Sequence, residues 1–385
     1  MLRLLGVAAL STLFCALLAQ PSMGQIFTDD LSTGANWTVV QDADASAVFG
    51  FDYSTKGVPA APRGSDTIGL KFEVNNSSPA AAASILAYHR DAAFTGQFTF
   101  RVDAWINWAP DGGGVGSGTT EFIGGSVGHD GSLGGTGVEP FGWTFLYTSE
   151  GDAAATDYRM YKEGFQAQSE SGQYAAGTEA GSRDSSNEYY TTAFPSFDIA
   201  SAVTGQATGT QPAGAGGFQW MTLNFEVDTD NIGPSGALND PGFVRVSMRS
   251  ARSGSTIEIG VLDNSNDDVM LGIDQDTTVG MYMADLFSSV TLNPDFSFGL
   301  FDNVEVLEGL VPLDAGGLAG DFDGSGFVDG GDFVLWQSDT GVGDLGDWQS
   351  NYGMGTPPSV GAVPEPATLL LLALAAPAAL ARRRR

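Results

Sequence analysis

Oxygen ligands crowd one stretch near the C-terminus. Asp321, Asp323, Ser325, Phe327, Asp329 and Asp332 stand at positions 1, 3, 5, 7, 9 and 12 of a twelve-residue segment. Gly326 sits at position 6, where a chain wrapping a cation must turn sharply, and Val328 is the usual apolar residue at position 8. Phe327 would offer its backbone carbonyl, Asp329 would act through a water and Asp332 would close the shell. The carboxylates of Asp321, Asp323, Asp329 and Asp332 repel one another unless a hard cation neutralises them. The segment therefore reads as a Ca2+ loop, against the alternative of an Asp–Gly surface turn. Asp263-Asn264-Ser265-Asn266-Asp267-Asp268 with Asp274 shares part of this spacing but lacks the central glycine.

A second set of acids raises the question of catalysis. In Glu226-Val227-Asp228-Thr229-Asp230 the alternation of a strand would put all three carboxylates on one face. Two carboxylates across a glycosidic bond can act as nucleophile and acid/base. Asn231-Ile232-Gly233-Pro234 follows at once and looks like the end of the strand. The reading preferred is a solvated strand face entering an acidic turn, with no catalytic residue assigned. His89 and His129 are isolated, match no hydrolase or metalloprotease pattern, and are expected at the surface or in loops. Trp105, Trp108 and Trp143 would either stack on sugar rings or fill a core.

These groups need a frame, and the periodicity supplies one. Phe98, Phe100, Val102, Ala104 and Ile106 alternate with polar residues, as do Met221, Leu223, Phe225 and Val227, then Val244, Val246 and Met248. Ile257, Ile259 and Val261, Val279, Met281 and Met283, and Phe296, Phe298 and Leu300 continue the pattern. A period of two with one apolar face is the mark of antiparallel strands half covered by a second sheet. No long helical period appears between Gln25 and Leu310, so this stretch is expected to be an all-β sandwich of about a dozen strands. Two loops interrupt it, 110–118 and the long polar stretch 170–217, which could be a binding lid or a disordered insertion.

Charge and cysteine content narrow the partners. The chain has 385 residues, 53 of them glycine, and a formal net charge of −30. Setting aside Arg3, Arg382 to Arg385 and Glu365 leaves 11 basic and 45 acidic residues between positions 25 and 362, a net of −34. Such a surface repels nucleic acid and anionic membranes and attracts divalent cations. With 2 histidines and 1 cysteine, a His/Cys zinc site or a disulfide framework is excluded.

Both ends read as processing signals. Arg3, the apolar run 4–19 and the small residues Ser22 and Gly24 make residues 1–24 a signal peptide cut between Gly24 and Gln25. At the other end Val363-Pro364-Glu365-Pro366 precedes an apolar stretch and then Arg382, Arg383, Arg384 and Arg385. This order resembles the PEP-CTERM sorting signal of exported bacterial proteins. The resemblance implies transient anchoring by a short transmembrane helix and cleavage by an exosortase-type sorting enzyme. The arginines would stay on the cytoplasmic side.

Two further resemblances concern the body. Phe27-Thr28-Asp29-Asp30 with Asn36-Trp37-Thr38 at its start, and Phe301-Asp302-Asn303-Val304-Glu305-Val306 at its end, resemble the concanavalin A-like, or laminin-G-like, jelly-roll superfamily. This implies a sandwich in which the first and last strands pair, and glycan or protein-ligand binding. In some branches it implies glycan hydrolysis, but retaining glucanases of this fold carry Glu-x-Asp-x-Glu, and here Asp230 is one methylene shorter than the third acid. Asp332-x-x-x-Trp336-Gln337-Ser338-x-x-Gly341 recurs twelve residues later as Asp344-x-x-x-Trp348-Gln349-Ser350-x-x-Gly353. Asp can cap each helix and Gly can end it. With the Ca2+ loop, this pair resembles a type I dockerin that lacks its second calcium loop, which removes the usual basis for cohesin binding.

The expected organisation is a signal peptide (1–24), a jelly-roll β-sandwich (25–310), a linker (311–320), a dockerin-like Ca2+ module of two helices (321–354), a second linker (355–362) and a sorting tail with its hydrophobic helix (363–385). The expected function is non-catalytic. An exported surface or extracellular-matrix protein would bind a polysaccharide or matrix ligand. The alternatives are a glycoside hydrolase using Glu226 and Asp230, and a purely structural envelope component.

Overall fold

The computed structural model describes residues 25–74, 82–91, 93–108, 121–129, 131, 142–150, 156–162, 164–199, 209–229, 242–263, 277–285, 296–313, 320–322, 328–338 and 344–353. The signal peptide, the sorting tail, the loop 110–118, and Asp230, Asp323, Ser325 and Phe327 lie outside them. Among the described residues no helix is long and apolar enough to cross a membrane.

Two antiparallel sheets face one another. In the larger, β3 (Ala45–Asp52), β4 (Ile68–Val74), β17 (Phe298–Glu308), β6 (Gln97–Asn107), β13 (Met221–Asp228), β14 (Phe243–Ser250) and β15 (Thr256–Leu262) lie side by side. An eighth strand, β1 (Gln25–Asp29), also pairs with β17. The smaller sheet runs β2 (Trp37–Gln41), β5 (Ala83–His89), β16 (Val279–Asp285), β7 (Glu121–Val127), β8 (Trp143–Thr148), β9 (Tyr158–Lys162), β10 (Phe165–Gln166). A detached hairpin of β11 (Phe197–Ile199) and β12 (Gly209–Gln211) completes the strands.

The alternation read from the sequence separates the two faces of each strand, and along β6 and β13 both faces are largely buried. Phe98, Phe100, Val102, Ala104 and Ile106 of β6 point inward, joined by Leu223 and Phe225 of β13, and meet Ile123, Phe145 and Met281 from the other sheet. At Gly125 of β7 a Cβ would come within 2.6 Å of the Phe225 ring, so glycine there lets the sheets close over the stacked Phe100–Phe225 pair. Neighbouring first and last strands, which the jelly-roll resemblance implied, appear as the register Phe27↔Val306, Thr28↔Glu305 and Asp29↔Val304.

The long segment after Glu170 is neither a lid nor a disordered insertion over 170–199 and 209–217; it is part of the wall. Gln173 and Ala175 hydrogen-bond β15 through Val261 N–H and Ile259 C=O, which covers an edge that would otherwise offer unpaired backbone. A short helix, α1 (Glu188–Ala193), is capped by Asn187, whose side chain accepts from Tyr189 N–H. Its Tyr190 stacks on Tyr158 at 4.0 Å inside the core. Polar composition concealed this because several of the buried residues, Gln173, Ser182, Arg183, Ser185 and Gln211, are themselves polar.

The outer face of the larger sheet is also covered. Trp105, Trp108 and Trp220 cluster with Tyr53, Phe218 and Phe298 under the 53–61 turn and the β11–β12 hairpin. Trp105 and Trp108 are therefore core residues, as is Trp143 in the main core, and none is free to stack on a sugar. Further along, the chain leaving β17 lies back across the sheet. Val311 N–H donates to Thr99, while its carbonyl accepts from Arg101 and Asn224. The first residue of the expected linker is thus seated on the sandwich.

One irregularity shapes the rest. β17 pairs with β4 over Gly299–Phe301 and with β1 over Val304–Leu307, and its pairing with β6 slips between Asp302 and Glu305. Asn303 sits at the slip with φ 51°, a left-handed conformation that Asn tolerates better than most residues. Asp302, facing Asp103 across the ladder, is buried and accepts from Tyr53 O–H at 2.7 Å and from Asn303 N–H at 2.7 Å. Burial, reinforced by Asp103 and Asp66, pushes its carboxyl up to about 7 despite these hydrogen bonds. A carboxyl that holds its proton more tightly when folded stabilises the fold below its ordinary pKa near 3.8 and loses that contribution as pH rises towards 7. The loss is on the order of 3–4 kcal/mol. Chemical denaturation across pH 4 to 8 should therefore show stability falling over this window, and Asp302→Asn should flatten the slope. An unchanged slope in the variant would remove Asp302 as its cause.

Candidate functional site

Only half of the expected Ca2+ ligands fall within the described residues. Asp321 and Asp332, positions 1 and 12, are both withdrawn from solvent, although carboxylates are seldom buried without a partner or a cation. Asp332 Oδ2 accepts from Asp329 N–H at 2.8 Å, and Asp329 Oδ1 accepts from Gly331 N–H at 2.6 Å. Val328 at position 8 is fully buried, and the loop end is pinned by Trp348 Nε1 donating to the Asp329 carbonyl at 2.6 Å. These residues fit one flank of a hard-cation loop. Among the described residues no group of three or more candidate ligands converges, and Asp323, Ser325 and Phe327 lie outside them.

The helices behind the loop are α2 (Gly330–Ser338) and α3 (Leu345–Asn351). Asp344 caps α3 as its spacing predicted, accepting from Gly346 N–H at 2.6 Å. Asp332 differs from expectation. The helix starts two residues earlier at Gly330, so Asp332 lies in the first turn with its carboxylate turned to the loop. Phe333 and Trp348 join the two helices at 4.8 Å. The module is fastened to the sandwich as well, since Arg249 Nη2 of β14 donates to the Asp321 carbonyl at 3.3 Å.

The acids of β13 do not form a catalytic pair among the described residues. Glu226 is 3 % exposed and faces Arg245 of β14 across the ladder, with Arg245 Nη1 at 3.5 Å from its Oε1. Arg245 also reaches Glu258 at 3.4 Å. Asp228 accepts from Gln97 at 2.9 Å, at the end of the strand. Glu226 is buried where a solvated side chain was expected, while Asp228 at the strand end stays partly exposed. An ion-paired, buried Glu226 has no free approach for a sugar.

The histidines were expected at the surface or in loops. His129 lies in the loop after β7 but is buried there, and His89 is buried at the end of a strand. His89 ends β5 against the rings of Phe27, Trp37 and Phe94, and burial holds it below the usual imidazole range against the pull of Asp29 and Asp91. His129 stacks on Tyr88 at 5.8 Å, and its Nδ1 accepts from Gly131 N–H.

A cleft of about 590 Å³ opens where the neighbour of β17 changes from β4 to β1. It is lined by Gln25, Thr28, Asp29 and Asp30 of β1 and the turn after it, by Thr33 and Asn36, and by Arg63, Asn303 and Glu305, with Thr28 and Glu305 paired directly across the β1–β17 ladder. Arg63 is the keystone. Its Nε contacts buried Asp103 at 3.0 Å, Nη1 reaches Glu305 at 3.2 Å, and Nη2 donates to the Asn303 carbonyl. Asn303 Nδ2 and Thr222 Oγ1 complete the shell of Asp103. On the β1 side Asp29 accepts from Leu31 N–H, Asn36 Nδ2 and Trp37 Nε1, and this ties the turn to the sheet. Asp30 takes Ser32 N–H at 2.9 Å, and its hydrogen bonds to Ser32 hold its carboxyl below the ordinary range. The cleft thus presents carboxylates, amides and hydroxyls in fixed positions, with no aromatic platform among its lining residues.

Sequence reasoning did not foresee this cleft. Asp29, Asp30, Asn36, Asn303 and Glu305 were legible only as strand-end residues of a fold resemblance, and Arg63 carried no signal. The available hint was a polar residue breaking an alternating run at Asp302-Asn303.

No family model matches the sequence, and no curated protein matches it. Solved structures similar to the chain include the exoplasmic/lumenal domain of VIP36 bound to Ca2+ and Man2, at 6 % identity and a TM-score of 0.37, covering 72 % of this chain and 82 % of that one. The Emp46p carbohydrate recognition domain matches at 10 % identity and 0.33, covering 74 % and 94 %. A protein of unknown function with a galectin-like fold from Bacillus subtilis matches at 9 % identity and 0.34, covering 75 % and 99 %. The two-sheet sandwich itself is established by this chain's own strand pairing.

Proposed function

We propose that this is an exported, non-catalytic, glycan-binding protein of the cell surface or extracellular matrix, built on a concanavalin A-like jelly roll. The observation that carries the reading is the polar cleft at the break between β4 and β1 alongside β17. Planar amide, carboxylate and guanidinium groups held rigidly by second hydrogen bonds suit the paired hydroxyls of a sugar. The buried pairing of Glu226 with Arg245 argues against hydrolysis at that strand. The signal peptide and the Pro364-Glu365-Pro366 tail support export, with release from Gln25 onward and processing by an exosortase-type enzyme. The loop from Asp321 to Asp332, with Asp323, Ser325, Phe327 and Asp329, would hold Ca2+ and stiffen the dockerin-like module against the sandwich.

Retention of the purified chain on a panel of immobilised polysaccharides should single out at least one, and uniform passage would contradict the reading. Reducing-sugar release should be absent from both the wild type and Glu226→Gln; release abolished by the substitution would restore the hydrolase alternative. Calcium at about a hundred times its Kd should raise the melting temperature by about 5 °C over chelator. Asp321→Ala with Asp323→Ala should erase that difference, and identical wild-type melting in calcium and in chelator would rule out the loop.

A further inference from the structure

We infer that the cleft at the break between β4 and β1, alongside β17, selects neutral polysaccharides and rejects uronated or sulfated ones. This rests on the glycan-binding reading and assigns its site and ligand class. Three carboxylates, Asp29, Asp30 and Glu305, line the cleft with one guanidinium, that of Arg63, and the nearby Arg101 guanidinium lies 3.9 Å from the same Glu305. The lining guanidinium is already committed: Arg63 spends Nε on Asp103, Nη1 on Glu305 and Nη2 on the Asn303 carbonyl. An incoming carboxylate or sulfate ester would find no free cation to receive it. It would have to displace Glu305 from Arg63 or sit beside like charge.

A neutral sugar meets the opposite situation. Its hydroxyls are donors, and a carboxylate held rigidly by backbone N–H groups is a strong, preoriented acceptor for them. Asp30 is such a group. Ser32 N–H occupies Oδ1, and the side chain is exposed at the cleft rim beside Thr33 and Asn36. With no aromatic platform in the lining, hydrogen-bond geometry sets the preference. The surrounding surface, at net −34 over residues 25–362, acts in the same direction at long range.

Affinity electrophoresis of the full chain, in gels containing a neutral galactomannan, an alginate or a carrageenan, tests this. Run in chelator at moderate salt, retardation should be at least about tenfold stronger with the neutral polymer. Asp30→Ala should weaken neutral binding about tenfold through loss of a charge-assisted acceptor. Asp30→Asn keeps an acceptor for Ser32 N–H while removing charge, and should narrow the gap between neutral and anionic polymers. Melting curves of both variants would show whether the fold is retained. Equal or stronger binding of the anionic polymers, or neutral binding untouched by both variants, would overturn the inference while leaving glycan binding intact. Anionic binding that appears only with added calcium would overturn it too, since the cation would then be the receptor. Retardation by no polymer at all would fail the glycan-binding reading itself.

Discussion

Arg63 and Asp103 form a contact on which much of the described structure leans. Asp103 lies on a central strand with no solvent access, and Arg63, Asn303 and Thr222 surround its carboxylate with donors. Removing one partner of such a buried pair costs about 3–5 kcal/mol, a large part of the stability of a typical domain. Arg63 comes from the segment between β3 and β4, Asp103 from β6 and Asn303 from β17. The pair therefore fixes the slip in β17, and the slip fixes where the sheet divides between β4 and β1. The cleft is a consequence of that division. Its polar walls and its charge balance follow from an ion pair whose first role is to satisfy a buried acid.

A sandwich with both outer faces free would offer ligands a broad sheet surface. This one closes the larger sheet under an aromatic cluster on one part and under the returning chain at Gly309–Val311 on another. The wall segment around Tyr174 and Tyr190 closes the gap between the sheets on the β15 side. Rings that composition offered as sugar platforms are spent on this closure, because tryptophan contributes most where its area is buried and its N–H finds an acceptor. Trp108 Nε1 finds Gln211, and Trp220 Nε1 finds the Pro59 carbonyl. What remains accessible in the cleft is polar.

Legibility in the sequence followed the physics of each feature. Strand alternation was readable because one sheet face is continuously apolar, as in β6 and β13, whereas the pairing of first and last strands came only as an implication of the jelly-roll resemblance. The cap at Asp344 was readable because it acts within two residues. Features that join distant positions were not. Arg63 and Asp103 are forty residues apart with nothing local to link them. His89 and the tryptophans carry types that suit surface and core alike. Glu226 looked solvated because its partner, Arg245, stands on the next strand. Asp332 serves the start of α2 from inside the first turn, taking Asp329 N–H while Asp329 takes Gly331 N–H, so the cap position itself falls to Asp329.

The account stands on where a saccharide touches this molecule. Amide hydrogen exchange of the full chain, with and without a saturating neutral oligosaccharide, reads that directly. Protection is expected at residues 28–36 and 303–305, around the cleft, with the oligosaccharide recovered whole. Protection confined to the strand bearing Glu226, or recovery of shortened sugar, would contradict it.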